Sequence, residues 1–422
     1  MRNSSRRSTG HVPHIWRREI GMSSPLLFER GFTSSEALIR RLDCYQTLEG
    51  HDSRIYTIRF NPTGSLLISG AGDANVKIWN WLDGKQKFAY PHGHQDSVMD
   101  AQFLPFTNDR MILTSSFDGL VKLHEIADDS LVTTTVLGRH VGSVPQLAIE
   151  PGSSRIFYSC GEDGFVKRFD LRTPSPMNLF SCISFSGSGL PVQLKCVVLD
   201  PMDRNCFAIG GFDQFVRLFD IRMYQWDAST CINRPVTTYC PRHLLDSLDN
   251  HITGLAYSNK SELLVSYDCE QIYLFDKGMD IGPDPMTVSE EHLLNLVQPR
   301  GYGGHRNTLP VKPVCFLGQR EEYIVSGSEC SNIFVWRKKD SKLLRKMVAG
   351  PSSVQVVATY PNTLFFASGG HDRKVRVWAP IGEEPERDPE PEVSFAEKCG
   401  KLMHDVHYFL TSTCRRVFFD EY

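Results

Sequence analysis

The sequence predicts an all-β fold, a seven-bladed propeller with a short helical extension at its N-terminal end. Three observations predict it. The chain repeats one pattern seven times between residues 43 and 380. Each repeat holds short runs rich in Val, Ile and Phe that alternate with period two between Gly, Asp, Asn and Pro, which marks strands joined by turns. The repeat period is about 40–45 residues, lengthened in places by loop insertions, which is the form of a four-stranded blade.

Composition bounds the function. The 422 residues are 41% hydrophobic and 23% charged with a formal net charge of −3, an ordinary globular balance. A chain that neutralises many phosphates needs a basic face, so direct nucleic-acid binding is not expected. The twelve cysteines are scattered without C-x-x-C or Cys/His ligand spacing. They read as reduced thiols of an intracellular protein, with no metal and no cofactor implied. No apolar run approaches the ~20 residues of a membrane helix.

Taken in order, "MRNSSRRSTGHVPHIWRRE" opens the chain, free of acid until Glu19, and reads as a basic tail. Helical pieces are expected over 14–21 and 23–42, where Thr33 and Glu36 have capping-box spacing ahead of Ala37, Leu38, Ile39 and Leu42. The first repeat follows, "GHDSRIYTIRFNPTGSLLISGAGDANVKIWNW" at 50–81. Its counterparts include "GHQDSVMDAQFLP" from 93, "RHVGSVPQLAIEP" from 139 and "GHRNTLPVKPVCFLG" from 304. The third-strand anchors read as Trp79, Leu123, Phe169, Phe219, Phe275, Trp336 and Trp378, at intervals of 44, 46, 50, 56, 61 and 42. The segment 277–301, acidic at its centre and bounded by Pro and Gly, is expected to be a mobile loop. "EEPERDPEPE" (383–392) reads as an unfolded acidic linker before a C-terminal tail. The domains are therefore 1–42, 43–380 and 381–422.

With these marks the chain resembles the WD-repeat family. Seven such blades close a ring that leaves no sheet edge open. The last repeat stops at its third strand, so "CYQTL" (44–48) is expected to supply the missing outer strand.

His51, Ser69, Asp73 and Trp79 look like a hydrolytic triad with an added indole. A nucleophile needs an exposed oxygen, a base and an oxyanion hole. In the WD-repeat family these four positions instead form a hydrogen-bonded line inside one blade. The set erodes along the chain. His94, Thr114 and Asp118 are followed by Leu123, while His140, Ser159 and Asp163 end on Phe169. Ile209 accompanies Asp213, and Cys330 stands for the Asp beside His305, Ser326 and Trp336. Ser368, Asp372 and Trp378 lack the His. A scaffold role follows, and no catalytic residue is assigned.

One feature exceeds the scaffold. "FVKRFDLR" (165–172) and "FVRLFDIR" (215–222) end in the same Asp-x-Arg, and no other anchor is followed by one. Residues i and i+2 of a strand share a face, so Asp170 can hold Arg172, and Asp220 can hold Arg222, by a planar two-point contact. Two preoriented arginines on neighbouring blades suit a protein partner, since Arg is enriched at interface hot spots.

This double box resembles the mark of WD-repeat substrate receptors of cullin-4 RING ubiquitin ligases. "IEPGSSRIFYSCGEDGFVKRFDLR" (149–172), "FAIGGFDQFVRLFDIR" (207–222) and "LLVSYDCEQIYLFD" (263–276) resemble the branch around the eighth numbered member of that series. The resemblance implies that Arg172 and Arg222 touch the damaged-DNA-binding adaptor of the ligase, with Phe169 and Phe219 standing where the family has Trp. It implies that Trp16, Leu27 and Phe28 in the extension can join that contact. It also implies a non-catalytic subunit of nucleus and cytoplasm that recruits a protein substrate the sequence does not name. A general WD-repeat scaffold, or a reader of histone tails or other peptides outside the ligase, is the alternative.

Overall fold

The computed structural model describes residues 35–385 and Pro389, apart from position 92 and segments 128–130, 186–188, 224–233, 246, 248–249 and 308–313. Seven four-stranded antiparallel sheets follow one another as blades. Blade 1 is built from Ile55–Phe60, Leu67–Ala71, Asn75–Asn80 and Lys85–Pro91, paired in that order. Blades 2 to 6 occupy 98–139, 146–181, 194–239, 252–302 and 314–348.

Blade 7 takes three strands, Val354–Thr359, Phe366–Gly370 and Lys374–Ala379, from the end of the repeat region. Its fourth is Asp43–Glu49 from the beginning, with Leu48 opposite Val375 and Cys44 opposite Trp378. The expected closing strand is thus in place.

The blades stand on one another through apolar faces. The second strand of a blade is buried on both sides, as in Leu67–Ala71 and Phe366–Gly370, which explains runs without polar alternation. Close approach needs a missing side chain: a Cβ on Gly210 would lie 2.6 Å from Ile252 of the next blade, and one on Gly327 would lie 2.6 Å from Val354. Among the described residues seven apolar clusters form, one at each contact between neighbouring blades. Buried apolar area of this kind is the main stabilising term, at about 25 cal/mol per Å².

Two parts differ from the sequence expectation. Within the described residues helix α1 runs Glu36–Arg40 with Ser35 at its N-cap position and no side-chain cap bond; Thr33 and the helical pieces expected over 14–34 lie outside the described residues. Glu36 is spent on ion pairs with Arg40 and Arg337. Leu38, Ile39 and Leu42 are buried in the cluster between blades 6 and 7, so this helix packs on the propeller. The segment 277–301 is not a free loop. It contains α2 (Glu290–Asn295) and buries Ile281, with Met279, Val288, Leu293 and Leu296 against the core of blades 4 and 5. Thr238 donates to the Gly282 carbonyl at 2.9 Å, and Ile281 donates to the Thr238 carbonyl at 2.8 Å. The apolar residues that hold it lack a period, which hid them behind its charged centre.

Candidate functional site

The His-Ser-Asp-Trp positions form the expected line in blade 1. His51 Nδ1 lies 3.0 Å from Asp73 Oδ2 and Nε2 lies 2.8 Å from Ser69 Oγ, to which Trp79 Nε1 donates at 2.8 Å. Ser69 and Trp79 are buried. Burial alone pushes the Asp73 carboxyl up, but His51 and the amides of Asp52 and Asn75 outweigh it and hold it at about 2. A serine locked between an imidazole and an indole inside a blade has no room for a substrate. The line is structural.

Blade 2 corrects the sequence reading. His94 binds Asp118 at 2.9 Å and Thr114 at 2.8 Å, but the line continues through His124 Nε2 to Thr114 Oγ1 at 2.8 Å. His124, opposite Ile112, holds the place that Trp79 holds opposite Leu67, and Leu123 is its neighbour. Assigning the anchor by hydrophobicity shifted it one residue. With His124, the first two anchor intervals are both 45.

Elsewhere the line is replaced. In blade 3 His140, Asp163 and Ser159 remain bonded, and Phe169 stacks on Phe157 at 4.6 Å. In blade 4 Asp213 pairs with the buried guanidinium of Arg217. In blade 7 Trp378 donates to Ser368 at 2.8 Å while Asp372 pairs with Arg376. Blade 6 keeps the His, Ser and Trp, with Cys330 for the Asp, but not the bonds. Both His305 nitrogens are buried without a partner, Ser326 donates to the Gly327 carbonyl, and Trp336 donates to the Gly303 carbonyl. Burial lowers the His305 pKa to about 4.

The two Asp-x-Arg boxes are built alike, though not as strand alternation. The third strand of blade 3, Phe165–Asp170, and that of blade 4, Val216–Asp220, both end on the Asp. The Arg lies beyond, in a turn for Arg172 and in the short 3-10 segment Ile221–Met223 for Arg222. Each carboxylate accepts the backbone N–H of the Arg two residues on, at 3.1 Å for Arg172 and 2.9 Å for Arg222. It also accepts the guanidinium through Nε, at 2.9 and 3.0 Å, and through Nη2. The bond to Arg172 holds the Asp170 carboxyl at about 2, and Arg222 lowers Asp220 in the same way. The carboxylates are nearly covered, with side-chain exposures of 10% and 14%, whereas the arginines stand out at 60% and 65%. An exposed pair of this kind stabilises a fold by only ~0–1 kcal/mol. Its effect is to fix where the cation points.

The anchors just before each Asp set this position. Phe169 lies in the cluster between blades 2 and 3, and Phe219 stacks on Phe180 of blade 3 at 4.1 Å. Blades 3 and 4 also share one core, so the boxes occupy equivalent places on neighbours. In blades 1, 2 and 3 the turn into the third strand carries the His-bound Asp, and in every antiparallel blade the end of that strand points the opposite way. Arg172 and Arg222 therefore lie on the face opposite His51 and Asp73. Trp16, Leu27 and Phe28 lie outside the described residues. Among those described, no group of three or more His, Cys, Asp or Glu could hold a metal ion, and no helix is long and apolar enough to cross a membrane.

The model of the WD domain, G-beta repeat, matches residues 42–80 and 341–379. Each match starts on an outer strand and runs through three strands of the following blade, so the sequence repeat is offset from the structural one. The chain is 31% identical over 287 residues to human WD and tetratricopeptide repeats protein 1, covering 62% of this chain and 42% of the relative. It is 31% identical over 301 residues to human DDB1- and CUL4-associated factor 6, covering 69% of this chain and 35% of the relative. Protein ALTERED SEED GERMINATION 2 of Arabidopsis thaliana is 30% identical over 273 residues, 57% of this chain and 36% of the relative. The chain thus spans less than half the length of these relatives.

Proposed function

We propose that this WD40-repeat propeller is a non-catalytic, substrate-recruiting subunit of a cullin-4 RING ubiquitin ligase, docking on the ligase's DDB1 adaptor through Arg172 and Arg222. The observation that carries the reading is the pair of exposed guanidinium groups, each clamped by its own carboxylate at the same place on consecutive blades. A relative named for association with DDB1 and CUL4 supports it. The finer resemblance to the branch around the eighth numbered member of that series, an N-terminal contribution from Trp16, Leu27 and Phe28, and residence in nucleus and cytoplasm belong to the same proposal.

Clamping lowers the ordering cost of binding, because the Arg side chain is already confined to one direction. Co-purification of DDB1 with the Arg172→Ala/Arg222→Ala double variant tests the proposal. Each hot-spot arginine is expected to contribute about 2 kcal/mol, and each 1.4 kcal/mol is tenfold in affinity, so recovery should fall by orders of magnitude. Undiminished recovery leaves the second reading, a WD40 scaffold outside the ligase, which the repeat architecture fits as well.

A further inference from the structure

The face opposite the two arginines opens on a cavity of about 240 Å³ at the mouth of the central channel, and Arg54, Tyr56, Phe117, Glu162, Lys195 and Gln355 are among its walls. These residues sit at the starts of first strands or in turns before third strands, on five blades. The cavity belongs to the ring rather than to any one sheet.

Its charges do not cancel. Lys195 Nζ lies 2.6 Å from Glu162 Oε1, so that pair is neutral as a unit. Arg54 forms no ion pair among the described residues, and its guanidinium lies over the Tyr56 ring at 4.9 Å. Stacking on an aromatic face orients an arginine while leaving its donors open. Gln355 Oε1 is buried and has no hydrogen-bond donor. An acceptor left this way is costly, and turning the side chain toward the cavity lets a ligand N–H remove the cost. Phe117, 53% exposed, offers apolar surface at the rim.

We infer that this mouth binds an extended peptide through a single carboxylate side chain. The Asp or Glu carboxylate meets Arg54, a peptide N–H donates to Gln355, and an apolar neighbour of the acidic residue covers Phe117 and Tyr56. The charge count selects the class, because one unpaired cation matches a monoanion better than a phosphoryl dianion. The volume admits one or two side chains, not a folded domain. The inference rests on the proposed docking role only in calling the peptide a substrate.

A random heptapeptide library displayed on phage is panned on the full chain alone, without adaptor, so the result does not depend on the docking face. Wild-type chain should enrich peptides with one Asp or Glu beside an aliphatic or aromatic residue. The peptide acetyl-Gly-Leu-Glu-Leu-Gly-amide should then lose about tenfold in affinity when its Glu becomes Gln, as expected for one charge-assisted contact. Arg54→Glu, at an exposed position, should abolish the acidic enrichment and favour Lys, and Gln355→Leu should weaken the same peptide. Absence of acidic enrichment, its persistence in Arg54→Glu, or tighter binding of acetyl-Gly-Leu-phosphoserine-Leu-Gly-amide than of the Glu peptide overturns the inference.

Discussion

At the scale of residues, the same four side-chain types do different things according to their bonds. Ser69 joins an imidazole to an indole, whereas Ser326 donates only to a neighbouring carbonyl. Ser69→Ala should therefore cost about 1–3 kcal/mol by leaving buried polar atoms unpaired, and Ser326→Ala much less. Thermal unfolding of the two variants side by side measures the difference. The blade 1 line was legible because all four residues have their usual identities and spacing. His124 was not, since counting by hydrophobicity favours Leu123, while counting six residues on from Asp118 reaches the ring that binds Thr114. Nor could sequence show that His305 would be left without partners, because that depends on where Ser326 turns its hydroxyl. The Asp-x-Arg boxes could be found by eye, but the assumption that Arg172 continues a strand failed. The carboxylate bends the chain out of the strand by taking the Arg amide as well as the guanidinium.

Elements follow from how each buries its apolar side. The strand Asp43–Glu49 contributes Leu48, 1% exposed, to the cluster shared by blades 7 and 1. Leu48→Ala should cost about 2–5 kcal/mol, the range for emptying a packed aliphatic site, and should lower the unfolding temperature of the whole molecule rather than of one blade. Strand content and the closing strand were readable from period-two alternation and from the missing fourth strand of the last repeat. The segment 277–301 was misread for the opposite reason. Its apolar residues have no period, and they find their places only on a core made by two other blades. Ile281→Ala is accordingly expected to destabilise by about 2–5 kcal/mol, a loss that a free loop would not show in chemical denaturation. Helix α1 is set by the same logic, with Leu38 and Ile39 inward, Leu42 buried just beyond its end, and Glu36 reaching across to Arg337.

For the molecule as a whole, stability should depend on acid through His305. Its folded pKa of about 4 lies below the ordinary value of 6.5. The unfolded chain therefore binds a proton first as pH falls, and stability declines between about pH 6.5 and pH 4. His305→Phe should flatten denaturation midpoints across that window and raise them at its lower end, since an apolar ring needs no partner there. Asp73 acts in a lower range. With a folded pKa of about 2 against 3.8, its contribution is complete above about pH 4 and lost as pH falls toward 2. Asp73→Asn should remove that lower slope. Adaptor recovery, by contrast, should stay level across pH 4 to 8, because Asp170, held at about 2, keeps its charge throughout.

The offset between sequence repeat and blade also governs how the protein is made. Glu49, at the end of the sealing strand, reaches its Lys374 partner across 325 positions of chain. A ribosome must deliver almost the entire propeller before the seam can shut. Until then the earliest strand and the newest sheet each present unpaired backbone to the cell, the kind of surface that invites aggregation. Nascent chains stalled before Lys374 should be held by chaperones, and release should coincide with the arrival of that last strand.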